Sequence, residues 1–383
     1  MSFRSIQIAQ PCLGDEEWQA LKEPLASGWL TQGPKVAAFE KAFATRHNVA
    51  HALATTSCTT GLHLALAALG IGPGDEVIVP AFTWVASANA VLYCGATPIF
   101  ADVDRETNNV TADTVAARLS PRTRAVMVVH LFGLCVDMDS IRAILPTGVA
   151  VVEDAACAAG ASYKGAPAGG LGEVACFSFH PRKSITTGEG GMVTTNDQEI
   201  ASRAEVLRNH GASISEEQRH NGAQPYLLPE FNVEGFNYRM NDLQGAVGLE
   251  QLKRLDGFIA ARDRWAAYYH AELAGINWMR QPLRPQEGQH AWQAYVTYVD
   301  PDSAPLSRNE IMARLHAKGI ATRPGTHAVH TLGYYRDRFG LLQDDFPAAR
   351  DCQANTMAIP LHNRMTDDDY TYVVACLKEI ARG

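Results

Sequence analysis

The sequence contains no apolar run of about 18 residues, the length a membrane-spanning helix needs. Its longest such stretch, around Ala125–Val136, is broken by His130 and Gly133. Residues Met1–Gln10 likewise have no hydrophobic signal-peptide core. Positive charge is in deficit: 33 Lys and Arg against 41 Asp and Glu give a formal charge of −8. That argues against a nucleic-acid-binding surface, which needs a net or clustered basic excess. The eight cysteines form no Cys-x-x-Cys pair and the 13 histidines no His-Glu-x-x-His pattern, so no metal site is expected. Irregularly spaced cysteines in apolar or Gly-rich stretches suit a reducing cytoplasm better than a disulfide framework. There is no internal repeat and no low-complexity segment. Lysine is scarce, with eight against 25 arginines.

What is present is ample core. Hydrophobic residues make up 46% of the 383, charged residues 19%, and mean hydropathy is −0.12. At about 150 residues per domain the length allows two to three domains. From residue 50 to 200, β-rich runs alternate with helical stretches. Val77–Pro80, Pro98–Val103, Ala125–Val129, Ala150–Glu153, Ala175–Phe179 and Met192–Thr195 read as strands. Thr59–Leu69, Trp84–Tyr93 and, more weakly, Asp137–Leu145 read as helices. Such alternation predicts an α/β fold with a mostly parallel mixed sheet flanked by helices. Asp242–Leu273 reads as one long helix capped by Asp242. It joins a large domain, 1–255 with an N-terminal arm, to a smaller α+β domain, 256–383. In the latter, Ala294–Val299 reads as a strand, and Arg308–Lys318 and Asp367–Ile380 as helices.

The most informative segment is Cys176-Phe-Ser-Phe-His-Pro-Arg-Lys183-Ser-Ile-Thr-Thr-Gly-Glu-Gly-Gly191. A lysine at a strand end, before a glycine-dense turn, is a candidate Schiff-base former; taken alone, a lysine in a turn is more often a surface residue. Val151-Val-Glu-Asp154 is an apolar strand ending in acid. A lone aspartate there usually caps a turn, but a pyridinium cofactor requires both an imine-forming lysine and an acid opposite its ring nitrogen. Thr55-Thr-Ser-Cys-Thr59-Thr60 leads into a helix, where free N–H groups and the positive dipole end make an anion site suited to phosphate. Trp84 follows a strand and could stack on a planar ring or lie in the core.

These motifs, in order, resemble the DegT/StrS-type sugar aminotransferases, pyridoxal 5′-phosphate enzymes of the aspartate-aminotransferase fold (fold type I). The resemblance runs from Gly28-Trp-Leu-Thr-Gln-Gly-Pro to Pro360-Leu-His. It is carried by Ser-x-Thr before a helix, Pro-x-Phe-Thr-Trp, Glu-Asp-Ala-Ala, Phe-Ser-Phe-x-x-x-Lys and Gly-Phe-Asn-Tyr-Arg-Met. It implies that Lys183 carries the cofactor as an imine, that Asp154 partners the ring nitrogen, and that Trp84 stacks on the ring. Thr59, Thr60 and Ser178 would bind the phosphate, and Asn237 would reach it from the neighbouring subunit of a homodimer with shared sites. Two positions depart from the family pattern. Cys58 stands where glycine is common. Cys157 stands where Gln or His usually approaches the cofactor's phenolic oxygen, and a thiol is a weak donor there.

The implied activity is transfer of an amino group, from glutamate as the family's usual donor, to a keto sugar. The expected acceptor is a nucleotide-linked 3- or 4-keto-deoxysugar, with pyridoxamine phosphate as the alternate cofactor form. A keto-cyclitol acceptor is an alternative. A pyridoxamine-dependent dehydratase on this scaffold is disfavoured, because that branch has histidine in place of Lys183. A non-catalytic cofactor-binding regulator would be expected to lose Lys183 or Asp154, and both are present. Candidate substrate contacts are His210, Arg219 and His220 in the loop-like Leu207–Phe231, and Arg323 and His327 in the polar stretch 321–330.

Overall fold

The continuous apolar runs in the N-terminal half build the central strands of a seven-stranded sheet. The computed structural model describes residues 4–214, 226 and 228–382. The large-sheet strands are β1 (His51–Thr55), β2 (Glu76–Pro80), β4 (Thr97–Ala101), β5 (Thr123–Val129), β6 (Ala150–Asp154), β7 (Val174–Ser178) and β8 (Gly191–Thr195), with the short β3 (Phe82–Thr83) after β2. Their order is β1-β8-β7-β6-β5-β2-β4, and β8 alone runs antiparallel to its neighbours. Parallel strands covered on both faces need no polar side, which is why β2, β7 and most of β5 read as unbroken apolar text. Observed boundaries lie within a few residues of those expected.

Several elements were not anticipated, among them β1 and the helices α1 (Pro34–His47) and α5 (Gln198–Arg208). Between these helices lie α2 (Cys58–Ala68), α3 (Ala86–Tyr93) and α4 (Met138–Ile144). Helix α3 starts at Ala86, so Trp84, expected within the helix, stands in the connection before it.

The long helix α6 spans Asp242–Leu273, as the sequence suggested, but its cap is different. Asn241 is the N-cap, its Oδ1 accepting from the Gln244 N–H at 2.9 Å. Asp242 is buried and serves another helix. Its carboxylate accepts from the N–H groups of Gly33 (2.9 Å), Lys35 (3.1 Å) and Val36 (3.0 Å) at the start of α1. Gly33, the N-cap of α1, has no side chain with which to satisfy those orphan donors. A carboxylate from more than 200 residues away does so instead.

The C-terminal region has a four-stranded antiparallel sheet of β9 (Met279–Arg280), β10 (Tyr295–Val299), β11 (Arg323–Pro324) and β13 (Thr356–Ile359), in the order β9-β10-β13-β11. Helices Arg308–Ala317 and Asp367–Arg382 belong to the same region. Helix α6 serves two cores. Leu252, Leu255, Phe258 and Ile259 pack with Phe39 and Phe43 of α1, while Ala266, Tyr269 and Leu273 join Trp278 and Tyr295. The expected boundary at 255/256 falls inside this helix. The two regions also meet where β12 (His327–Ala328) pairs antiparallel with β3, His327 opposite Thr83 and Ala328 opposite Phe82. A second seam joins Gln293 N–H to Phe132 O (3.0 Å) and Ala291 N–H to Gly133 O (2.9 Å). Phe132 (φ 57°) and Trp292 (φ 47°) both adopt left-handed backbone at that seam, a strained conformation for aromatic side chains.

Candidate active site

Parallel α/β sheets assemble sites at the carboxyl ends of their strands, and here β6 ends there in two acids with opposite fates. Glu153 is fully satisfied: it faces His130 Nε2 at 3.0 Å and accepts the N–H groups of Gly169, Leu171 and Gly172 at 2.6–2.9 Å. Burial alone would raise its pKa, but His130 and these donors hold it below the usual carboxylate range. Asp154, on the other face, is 5% exposed and has no cation in ion-pair range among the described residues. It accepts from Ser87 Oγ at 2.7 Å and from the Ala156 N–H at 3.2 Å. Burial pushes its carboxyl above the usual range, and the Ser87 bond, the largest opposing influence, only partly offsets that.

The first turn of α2 forms a cup beside this acid. Ser57 and Thr60 close a reciprocal capping box: Thr60 N–H donates to Ser57 Oγ (3.1 Å) and Ser57 N–H to Thr60 Oγ1 (3.0 Å). Thr60's N–H and hydroxyl are thereby committed. The Cys58 and Thr59 N–H groups have no partner among the described residues, so they are the donors aimed at an anion. Ser178, at the end of β7, sits opposite Gly191 of β8. A Cβ on Gly191 would lie 2.5–2.6 Å from the Ser57 and Cys58 backbone. Glycine thus lets β8 pass against the mouth of the cup, and this brings Ser178 to it.

Lys183 lies in the turn after β7, half-buried, with its Nζ 3.3 Å from Cys157 Sγ. Burial pushes its ammonium toward neutrality. The sulfurs of Cys157 and Cys58 and the Asp154 carboxylate more than reverse this, so the net direction is upward. Burial also raises the Cys58 thiol. Trp84 is not a core tryptophan: it is 61% exposed, its ring 5.6 Å from that of His327 and tilted by 46°.

The structure therefore brings together Lys183, Asp154, Cys157, Ser178, Thr59, Thr60 and Trp84, and adds His327 and Arg323 at the mouth. Arg323 is exposed on β11. Burial and, next, the positive charge of Arg323 push the pKa of the Arg182 guanidinium down, and Arg182 is the residue immediately before Lys183. Neither has an ion pair or side-chain hydrogen bond among the described residues. Asn237 is exposed on a segment that runs from an isolated bridge with Asn209 to Tyr238, whose carbonyl accepts from the Thr56 N–H at 3.0 Å. Its neighbour Arg239 bonds an amide, Asn209 Oδ1 at 2.7 Å. His210 is exposed on the same ledge, its N–H donating to Phe236 O at 2.8 Å, and it makes no hydrogen bond to Lys183 or Asp154. Arg219 and His220 lie outside the described residues.

Three participants were missed in the sequence: Ser87, which bonds Asp154, Thr83, which bonds Ser87, and Arg182. For the hydroxyls the signal was two small polar residues four apart across a strand-to-helix connection. Arg182 had the signal of standing next to the lysine.

The arrangement fits pyridoxal 5′-phosphate. A buried carboxylate without a counter-ion among the described residues suits a pyridinium nitrogen, two N–H groups at a helix start with no partner among those residues suit a phosphate, and an exposed indole with a half-buried lysine suits a planar aldehyde. Comparison with known proteins agrees. The profile of the DegT/DnrJ/EryC1/StrS aminotransferase family matches residues 11–378. The chain is 41% identical over 377 residues to the spore coat polysaccharide biosynthesis protein SpsC of Bacillus subtilis, covering 97% of this chain and 96% of that one. It is 40% identical over 378 residues to a GDP-perosamine synthase of Caulobacter vibrioides, covering 98% of each. Among solved structures, Spr1654 of Streptococcus pneumoniae in its PMP form superposes with a TM-score of 0.92 at 26% identity, covering 99% of both chains.

An uncompensated Asp154 makes a prediction for the cofactor-free protein. A carboxyl whose pKa rises on folding destabilises the fold once ionised, with nothing lost at pH values below the unfolded pKa of about 3.9. The melting temperature of Asp154→Asn relative to wild type should therefore move in the variant's favour as pH rises from about 4 to 8. A difference that moves the other way would mean that the carboxylate has a cation partner in the cofactor-free fold.

Proposed function

The chain belongs to the DegT/DnrJ/EryC1/StrS aminotransferase family, and on that premise we propose that it transfers the amino group of glutamate to a nucleotide-linked 3- or 4-keto-deoxysugar. The observation that carries this reading is the convergence of Lys183, Asp154 and the free N–H groups of Cys58 and Thr59 at one end of the sheet. Bound pyridoxal 5′-phosphate supplies an aldehyde that exchanges nitrogen partners and a ring that takes up the electron pair released at the substrate carbon.

In this reading the protein's own groups divide the work. Thr59, Cys58 N–H and Ser178 hold the phosphate, Thr60 braces the cup, and Trp84 covers one ring face. Asp154 holds a proton on the ring nitrogen. Lys183, once free as an amine, carries the proton at the reacting carbon. Asp154 is one of the groups that keep Lys183 protonated. When the ring nitrogen takes that charge, burial weighs more heavily and Lys183 becomes the better base. Cys157, beside Nζ, faces the phenolic oxygen with a weak donor. Arg182 and Arg323, whose guanidiniums have no ion pair among the described residues, receive the anionic part of the substrate, and His327 lines the same entrance. The identity with a GDP-perosamine synthase supports a nucleotide-linked acceptor. A dehydratase is disfavoured by Lys183 and by His180, whose Nδ1 is committed to the Arg182 N–H at 3.2 Å. Eight free cysteines suit work in the cytoplasm.

We further propose a homodimer with shared sites. Tyr93, Phe231 and Val233 are large apolar side chains left exposed around the segment that carries Asn237, a pattern that marks a contact face. A second copy seated there would receive Asn237 at its phosphate cup.

Incubating the enzyme with glutamate and a panel of nucleotide-linked keto sugars should give products one amine heavier by mass. Borohydride reduction of the yellow protein should leave the pyridoxyl group on Lys183 in a peptide map. A label on another lysine, or no aminated sugar from any nucleotide-linked ketone, contradicts the reading. The shared site has its own test. Refolding Lys183→Ala together with Asn237→Ala should restore about a quarter of wild-type activity, because about half the dimers are mixed and each mixed dimer has one intact site. No recovery with mixed dimers confirmed by mass would place Asn237 in its own subunit's site.

A further inference from the structure

The segment joining β3 to α3 does more than present Trp84. Thr83 and Ser87 flank that tryptophan and are both buried, while the indole itself is exposed. Ser87 Oγ lies 2.7 Å from Asp154 Oδ2 and 3.1 Å from Thr83 Oγ1. The chemistry fixes the direction of both bonds. An ionised carboxylate only accepts, so Ser87 donates its single proton to Asp154, and its oxygen is left to accept from Thr83. The Ala156 N–H holds the other carboxylate oxygen, so the plane of Asp154 is set from both sides. The Ser87 N–H in turn bonds the Trp84 carbonyl at 3.2 Å, which ties the donor to the residue that covers the ring.

We infer that Ser87, backed by Thr83, is a positioning residue that keeps Asp154 ionised and oriented toward the ring nitrogen. This rests on the reading of Asp154 given above and extends it. A buried acid without a counter-ion favours its neutral form, and a neutral Asp154 cannot hold a proton on the ring. The hydroxyl relay opposes that tendency, since a donated hydrogen bond stabilises the charged form. The relay also has an anchor in the C-terminal region. Thr83 stands opposite His327 in the β3–β12 pair, and Val329 N–H donates to Ala81 O at 2.7 Å. The strand that carries His327 to the mouth of the site therefore also holds the first hydroxyl of the relay.

The test compares Ser87→Ala, Ser87→Cys and Ser87→Thr in the full-length protein. Removing the donor raises the Asp154 pKa, so ionisation is lost at higher pH. Ser87→Ala should bind pyridoxal 5′-phosphate about tenfold more weakly at neutral pH. The acid limb of its binding profile and of its half-reaction with glutamate should move up by about one pH unit, with the alkaline limb unmoved. Ser87→Cys, a weaker donor of similar shape, should shift less, and Ser87→Thr should keep the wild-type limb. An Ala variant with a lower plateau but an unmoved acid limb would make Ser87 a packing residue and overturn the inference. So would a Thr variant that shifts as far as Ala. The reading of Asp154 fails separately: if Asp154→Asn binds and reacts like wild type, the acid itself is not the ring partner, whatever Ser87 does.

Discussion

The site depends on one unpaid charge. Burying a carboxylate without a cation is strongly unfavourable, and among the described residues Asp154 is held by the Ser87 hydroxyl and the Ala156 N–H alone. Its sequence neighbour shows the alternative. Glu153, one residue earlier and therefore on the other face of β6, is closed off by His130 and three backbone donors and serves only to fasten the 169–172 loop to the sheet. Adjacent acids on one strand thus divide into a structural anchor and a group with capacity to spare.

The rest of the N-terminal region can be understood as placing partners around that carboxylate. Register sets Asp154 level with Val129 and Cys176, so the turn after β7 delivers Lys183 to the same side. Gly191 lets the antiparallel strand β8 press against the start of α2, which brings that helix start to the end of β7. The C-terminal region closes the mouth through the β3–β12 pair and the Phe132–Gln293 seam. Gln293 also donates its side-chain amide to the Arg182 carbonyl at 2.9 Å, so the seam grips the residue immediately before Lys183.

Much of this was legible in the sequence because it is local. A lysine after an apolar strand, an acid at another strand's end and hydroxyls before a helix are each short signals, and their order along the chain made them jointly specific. The α/β alternation was legible for the same reason, since buried parallel strands carry their own apolar text. What escaped was long-range. Asp242 looks like the cap of its own helix, but the free donors of α1 claimed it because Gly33 could not serve them. The four-residue spacing of Thr83 and Ser87 is visible in the sequence but not its target, because the contact with Asp154 exists only when β3–α3 folds over the end of β6. Trp84 was ambiguous between core and ring cover, and only its exposure in the fold removes the core reading. Arg182 and Arg323 sit 141 residues apart in the sequence, and the influence of one charge on the other depends on how the C-terminal sheet docks.

The central claim is that the charge of Asp154 is compensated by a proton on the ring nitrogen of the bound cofactor. Loading the enzyme with pyridoxal 5′-phosphate labelled with nitrogen-15 in the ring, and recording its chemical shift at neutral pH, reads that proton directly. The account predicts a protonated-ring signal in the wild type and an unprotonated one in Asp154→Asn. The same signal in both proteins would contradict it.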